Sequence, residues 1–301
     1  MKEQDFIQII KSILNSPYIG DDCAYLKDFG IVVSQDSLVE DIHFKKEFIT
    51  PYQLGYKTVM VNISDICASG AKPKYLTISL SLPPNTDNGF VENFYKGAKA
   101  ASGNVEIVGG DITGADKIYI SAAAIGDTRG RKISSRSLAK PDYKIIVSGE
   151  HGNSAKGLDI LIKKSRLSQT EGINNKFIKA HLMPEAQIEF SARIAENITQ
   201  DYAMMDTSDG LADALFQISK ASNVIMNIDT KKIPHDFSVD MQTVLYGGED
   251  YQLVAAVPEN LLQKISGYTI IGSVEKGSPS VKIDGKIFNE PDSSLFNHFK
   301  E

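Results

Sequence analysis

Across residues 50–71 apolar side chains crowd almost every position: Val59, Met60, Val61, Ile63, Ile66, Cys67 and Ala68 leave little room for a solvated face. The polar exceptions, Thr58, Asn62, Asp65 and Ser69, follow one another at spacings of four, three and four. That places them in one narrow stripe on a helix that is otherwise apolar nearly all round. Thr50-Pro51-Tyr52-Gln53 reads as the start of this helix: a Thr cap, Pro in the first turn, and Gln three residues after the cap. Gly70 marks its stop. A carboxylate on a mostly buried helix is costly unless cations or hydrogen-bond donors meet it. Either the helix shows this thin polar stripe to water, or Asp65 finds partners elsewhere in the chain.

The pattern on either side alternates between β-branched runs and amphipathic stretches. Residues 5–15 read as a helix, and 17–22 as a turn carrying Asp21 and Asp22. Residues 30–34 read as a strand running into Gln35-Asp36, and 76–82 as a strand stopped by Pro83-Pro84. A helix is expected over 88–101. A strand over 105–108 is expected to end in Gly109-Gly110-Asp111, and another covers 117–125. Lys140-Pro141-Asp142 reads as a linker. Beyond it, strands are expected at 143–148, 202–205, 224–229, 251–257 and 268–274. Helices are expected at 154–165, 174–181, 185–198, 210–221 and 259–265. Strands and helices alternating in two halves predict an α/β or α+β fold, divided at 1–136 and 137–301.

Composition narrows the partners. The 301 residues are 42% hydrophobic and 23% charged, with net charge −6. Such a balance suits a soluble globular protein and offers no surface for nucleic acid or an anionic membrane. Cys23 and Cys67 lie in apolar surroundings with no Cys-x-x-Cys pair, and read as reduced core residues of a cytoplasmic protein. No apolar run approaches membrane-spanning length. The five histidines are scattered without zinc-ligand spacing. There is no P-loop, no kinase-type glycine loop and no G-x-G-x-x-G.

What remains conspicuous is a set of acids at turns and expected strand ends: Asp21, Asp22, Asp36, Asp111, Asp206 and Asp209, with Glu249-Asp250 after Gly247-Gly248. Turn chemistry explains any one of them. As a set they gather where strand ends of α/β folds bind ligands. Converging carboxylates raise one another's pKa unless cations are present. Oxygen-only ligands point to Mg²⁺ or a similar hard ion, and phosphate is the natural group to bring metals and carboxylates together. Gly109-Gly110-Asp111 lets backbone approach a ligand and places a carboxylate at the tip. Ser208 stands at a helix N-terminus, where it caps the helix or helps the free amides hold a phosphate oxygen.

The motifs occur in a recognisable order. They are Ile19-Gly20-Asp21-Asp22-Cys23-Ala24; Asp36-Ser37-Leu38-Val39-Glu40 with His43-Phe44; Val61-Asn62-Ile63-Ser64-Asp65 with Gly70-Ala71-Lys72-Pro73; Gly109-Gly110-Asp111-Ile112-Thr113; Arg136 with Ala139-Lys140-Pro141; Asp206-Thr207-Ser208-Asp209-Gly210-Leu211; and Gly247-Gly248-Glu249-Asp250-Tyr251. Together they resemble the thiamine-monophosphate kinase family, in the superfamily of aminoimidazole-ribotide synthetase. The resemblance implies a two-domain fold. Its N-terminal metal- and ATP-binding domain, 1–136, pairs strands across a homodimer, and its C-terminal α/β domain, 137–301, completes the site. It implies phosphorylation of thiamine monophosphate by ATP with several Mg²⁺ ions. The implied metal ligands are Asp22, Ser34, Gln35 through its carbonyl, Asp36, Asp65, Asp111, Asp206 and Asp209. ATP contacts fall on Tyr95, Gly110, Asp111, Arg136 and Ser208. His43, Glu249 and Phe296 face the thiamine phosphate. Asp65 and Asp206 act catalytically through metal, with no general base.

Three features depart from the family pattern. Gln35 stands where Thr is usual, Pro184-Glu185-Ala186-Gln187 replaces a Pro-x-Pro-Arg, and the chain has no Trp, so Phe296 takes the ring-packing position. Two alternatives stay open at this point: another ATP-dependent synthetase of the superfamily, and a non-catalytic Mg-nucleotide-binding module.

Overall fold

The computed structural model describes residues 3–163 and 175–290. The first half builds α1 (Glu3–Leu14), β1 (Ala24–Leu26), β2 (Ile31–Val39), α2 (Pro51–Ala68), β3 (Lys72–Leu82), α3 (Asn88–Ser102), β4 (Glu106–Gly114) and β5 (Tyr119–Asp127). The second half builds β6 (Lys144–Val147), α4 (Asn153–Lys163), α5 (Lys176–Leu182), α6 (Ile188–Asn197), β7 (Ala203–Asp206), α7 (Leu211–Ser222), β8 (Ile225–Ile228), α8 (Met241–Tyr246) and β9–β12 (Leu253–Val257, Thr269–Glu275, Ser280–Ile283 and Lys286–Phe288). Two sheets result, in strand orders β1-β2-β5-β3-β4 and β12-β11-β8-β10-β6-β9-β7. Among the described strands, parallel pairing is confined to β3 with β4 and to β8 with β11. The α+β form of the expectation is the one realised. Among the described residues no helix is long and apolar enough to cross a membrane.

Helix α2 starts as its sequence dictates. Thr50 Oγ1 accepts from Gln53 N at 3.2 Å, and Thr50 N donates back to Gln53 Oε1 at 2.9 Å, a complete capping box. The helix lies on the first sheet, with Val59, Ile63, Ile66 and Cys67 buried at 0% exposure. Each such aliphatic side chain contributes roughly 1.5–3 kcal/mol through burial. Helix α3 packs tightly on its N-terminal half. A Cβ on Gly55 would fall 1.9 Å from the Phe94 carbonyl oxygen, and one on Gly97 would fall 1.8 Å from that of Tyr52. One core cluster runs from this sheet and α2 into α4, α5, α6, β7 and β9 of the second half; another fills the space between the second sheet, α7 and α8.

Strand β4 departs from its expected form. It runs through Gly109-Gly110-Asp111 and on to Gly114, so Asp111 lies mid-strand and not at a tip. The glycines explain this: a Cβ on Gly110 would sit 1.7 Å from the Ile78 carbonyl oxygen, so only glycine lets β4 lie this close to β3. Asp36 is likewise inside β2. The segment 259–264 winds as a 3₁₀ helix, and the short β1, β11, β12 and α8 carry too few residues for a periodic signal.

Candidate metal and phosphate site

Asp65 projects from α2 between β2 and β7. Ser34 Oγ on β2 donates to its Oδ2. The rest of the stripe is buried and serves the protein internally. Thr58 Oγ1 donates to the Leu54 carbonyl at 2.8 Å and Ser69 Oγ to that of Ile66 at 2.7 Å. Asn62 Nδ2 donates to the Thr58 carbonyl at 2.8 Å, while Asn62 Oδ1 accepts from Asp36 N at 3.2 Å. The stripe is not a water-facing edge. It is a buried bracket that fixes β2, with Asp36, against Asp65.

Two further carboxylates meet Asp65. Asp22, from the turn before β1, and Asp206, at the end of β7, bring carboxylate oxygens that all lie within 4.8 Å of one another and of Asp65. Ser64 Oγ donates to Asp206 Oδ2 at 2.5 Å, and Ser208 Oγ to Oδ1 at 2.9 Å. Arg136 grips Asp22, with Nη2 to Oδ1 at 2.9 Å and Nε to Oδ2 at 3.4 Å. The arginine is itself placed by Asp21, which accepts from Arg136 N at 2.7 Å and from Ser135 Oγ at 2.8 Å. The twin aspartates thus divide the work: Asp22 faces the cluster, and Asp21 holds the loop that carries its counter-charge.

The cluster is electrostatically strained. Burial pushes the Asp65 carboxyl far above its ordinary pKa, and Asp36, Asp206 and Asp22 push it further; the Ser34 hydroxyl offsets only part. Burial, then Asp22, raises Asp206 against the hydroxyls of Ser64 and Ser208. Burial lowers the Arg136 pKa, but Asp22 outweighs it and the net shift is upward. The donor set fits a hard divalent cation: oxygen only, several carboxylates, and a surplus of negative charge that one arginine does not cancel.

A second polar group gathers at Lys57, about two turns from Asp65 toward the N-terminal end of α2, and the space between the two groups is the candidate cleft. Glu249 Oε1 accepts from Lys57 Nζ at 3.1 Å, and Oε2 lies 3.2 Å from His181 Nδ1. His43, whose Nδ1 accepts from Val39 N at 3.0 Å, is close enough for its charge to lower the Glu249 pKa. Burial pushes that pKa up, and Lys57, His181 and His43 together bring it below its usual value. The loops carrying Asp206 and Glu249 interlock. Glu249 N donates to the Ser208 carbonyl at 2.6 Å, and Thr207 N to that of Gln252 at 2.9 Å. Asp250 turns away from the cleft and caps α4, accepting from Gly152 N at 2.5 Å and Ser154 N at 2.8 Å. Its carboxyl, lifted to about 6 by burial against those donors, holds a helix in place.

Of the residues assigned from sequence, Asp22, Ser34, Asp36, Asp65, Arg136, Asp206 and Ser208 converge. Burial raises the Tyr251 phenol, and Asp209 lies near enough to add to this with Glu249, Asp36 and Asp206. Ser208 does not cap α7; Gly210 occupies that position, and the hydroxyl is spent on Asp206. Gln35 sends its side chain to Ser121 Oγ at 3.0 Å, which leaves its backbone carbonyl as the atom for any ligand. Gly110 and Asp111 stand apart. Asp36 is level with Gly110 across β5 and β3, three strand spacings or about 14 Å. Tyr95 packs beside the first turns of α2, roughly 15 Å along the axis from Asp65. Phe296 lies outside the described residues. Sequence reasoning missed Lys57, His181, Ser154 and Ser64. A lone lysine on an apolar helix was the signal available for the first.

An acidic cluster between two mixed sheets, in a fold whose first sheet ends in a glycine-rich edge strand, defines a class: a model of the AIR synthase related protein, N-terminal domain, matches residues 20–128. Within that class the full-length relatives are specific. The thiamine-monophosphate kinase of Aquifex aeolicus is 34% identical over 94% of both chains, and that of Bacillus subtilis is 34% identical over 79% of this chain and 77% of its own. The solved structure of AaThiL complexed with AMPPCP and TMP superposes with a TM-score of 0.88 at 33% identity, covering 99% of this chain and 97% of that one. The chain belongs to the thiamine-monophosphate kinase family.

Proposed function

We propose that this protein transfers the γ-phosphoryl group of ATP to the phosphate of thiamine monophosphate, giving thiamine diphosphate and ADP, in the cytoplasm. The observation that carries this reading is the convergence of Asp22, Asp65 and Asp206, with Asp36 adjoining and Glu249 and His43 at the opposite end of the cleft. Asp22, Asp36, Asp65 and Asp206 are the residues that would hold Mg²⁺, with Ser34, the Gln35 carbonyl and Asp209 at the margin. Mg²⁺ bound there supplies the neutralising charge that lets two polyphosphate groups come into line.

The chain's own groups do the rest. Ser34 and Ser64 fix the orientation of Asp65 and Asp206 through hydroxyl donors. Arg136 supplies a half-buried guanidinium beside the site, suited to phosphate oxygens. No side chain serves as a general base. The acceptor phosphate is already an anion at neutral pH and needs no deprotonation. His43 and Glu249 receive the thiamine portion.

The protein acts as a homodimer in this reading, with 1–136 as the metal, ATP and dimerisation domain and 137–301 as the domain that completes the site. The support is the outer edge of the first sheet. Among the described residues strand β4 pairs only with β3, and it is exposed along most of its length, with Val108 at 55% and Ile112 at 62% exposure. Asp111 and Tyr95, remote from their own cluster, would then serve a site shared with a second copy. ADP release coupled to a spectroscopic readout tests the activity: it is expected to require thiamine monophosphate and Mg²⁺ and to be absent with thiamine alone. Equal ADP release with and without thiamine monophosphate contradicts the reading.

A further inference from the structure

The Lys57 ammonium is 1% exposed as a side chain, yet it lies inside the apolar helix α2. Its Nζ contacts Glu249 Oε1 at 3.1 Å and donates to the His181 carbonyl at 3.0 Å. His181, 7% exposed, sets Nδ1 3.2 Å from Glu249 Oε2 and 3.0 Å from Ser154 Oγ. Of the three, Glu249 alone is partly exposed, at 25%.

The backbone holds Glu249 just as firmly. It has φ of +64°, a left-handed conformation that is unusual outside glycine. Gly248 before it has no room for a side chain, because a Cβ would fall 2.7 Å from the Ser208 carbonyl oxygen. Asp250 after it is clamped onto the start of α4. A strained residue kept in place from three directions marks function. A buried ion pair is a poor device for stability, since desolvation offsets most of its attraction. The arrangement instead holds one carboxylate edge toward the cleft.

We infer that Lys57 is a positioning residue for acceptor recognition: with His181 and Ser154 it fixes the Glu249 carboxylate toward the cationic or amine-bearing rings of the acceptor. This rests on the kinase reading above. Lys57 touches neither the phosphate end nor the metal end. Eight residues separate it from Asp65 on α2, about 12 Å along the helix axis.

The test is steady-state kinetics with both substrates varied, on the full-length wild type, Lys57→Met, Glu249→Gln and the double variant. Lys57→Met is expected to raise the KM for thiamine monophosphate at least tenfold. Its kcat should stay within about threefold and its KM for ATP within about twofold. Glu249→Gln is expected to do the same, and the double variant to be no more than about twofold worse than Glu249→Gln. An acceptor KM unchanged in Lys57→Met, or effects that multiply in the double variant, overturns the inference and leaves the activity standing. Wild-type protein with no thiamine-monophosphate-dependent ADP release overturns both. Should Lys57→Met fail to fold, Glu249→Gln and His181→Gln carry the test, and an unaltered acceptor KM in both overturns the inference.

Discussion

Replacing Asp65 by Asn is expected to make the metal-free protein more stable while abolishing its activity. Like charges 4.8 Å apart, the spacing within which the Asp22, Asp65 and Asp206 oxygens lie, repel by about 3.5 kcal/mol at an effective dielectric constant of about 20. Neutralising Asp65 removes two of the three pairwise repulsions. Arg136 offsets only that on Asp22, and uptake of a proton by the wild-type cluster caps the strain, so a net gain of about 2–4 kcal/mol is expected. Asn also keeps an oxygen to accept from Ser34. The sign follows from the direction of the shift. An acid whose pKa is raised on folding destabilises the native state above that pKa, and the cost fades as pH falls.

Thermal unfolding in EDTA at pH 7.5 should therefore show the variant melting higher, at roughly 2–4 °C per kcal/mol. The gap should close as pH is lowered toward 4. Mg²⁺ with ATP should stabilise wild type more than the variant. Turnover should fall by about a thousandfold or more, the scale of losing a central electrostatic group. A variant that melts lower in EDTA refutes the account of strain, and one with near-wild-type turnover refutes the metal role.

Three further outcomes are expected. His151 is fully buried and, among the described residues, neither ring nitrogen has a hydrogen-bond partner; burial lowers its pKa from 6.5 to about 3. Its native state is therefore penalised as pH falls below 6.5, by about 2 kcal/mol at pH 5. Urea unfolding should show His151→Leu gaining that much more over wild type at pH 5 than at pH 7.5, and equal differences at the two pH values would disprove it. Gly97→Ala drives a Cβ to 1.8 Å from the Tyr52 carbonyl oxygen and should cost at least about 1–3 kcal/mol by forcing α3 off α2; an unchanged Tm would show that the helices yield. Arg136→Met should lower Tm in EDTA by leaving Asp22 without its cation and should raise the KM for ATP, with much of the Tm recovered in saturating Mg²⁺; no change in either quantity would remove Arg136 from the site.

The site was legible where chemistry conflicts with local environment. Asp65 stood out because a carboxylate on an apolar helix has no cheap explanation, and the structure supplies both the repulsion and the donors. The start of α2 was legible because a capping box is a local device. Strand β4 was not, because what lets it run through Gly109-Gly110-Asp111 is the close approach of Gly110 to Ile78, 32 residues earlier in the chain. The expectation that the acids stand at strand ends held for Asp206 but not for Asp36 or Asp111, since an aspartate inside an edge-accessible strand looks, in sequence, like one in a turn. Glu249 was identified by motif alone. Its partners Lys57, His181 and Ser154 come from three separate segments, and no spacing along the chain connects them.

Helix α2 explains why such a site tolerates its own strain. Its first half is clamped to α3 through Gly55 and Gly97, and its C-terminal end is tied to the second half through Ser191 Oγ to the Cys67 carbonyl at 2.7 Å and to the segment after β5 through Ser134 Oγ to the Ala68 carbonyl at 2.6 Å. Lys57 and Asp65 thus stand on one rigid, buried rod, while Glu249 and Asp206, their counterparts across the cleft, belong to loops locked to each other by Glu249 N and the Ser208 carbonyl. Neither end of the cleft can move without the other. On the proposed reading, a fixed spacing between Glu249 and Asp65 suits an acceptor whose ring end and phosphate end are themselves a fixed distance apart, so that loss of Glu249 weakens acceptor binding more than it slows transfer.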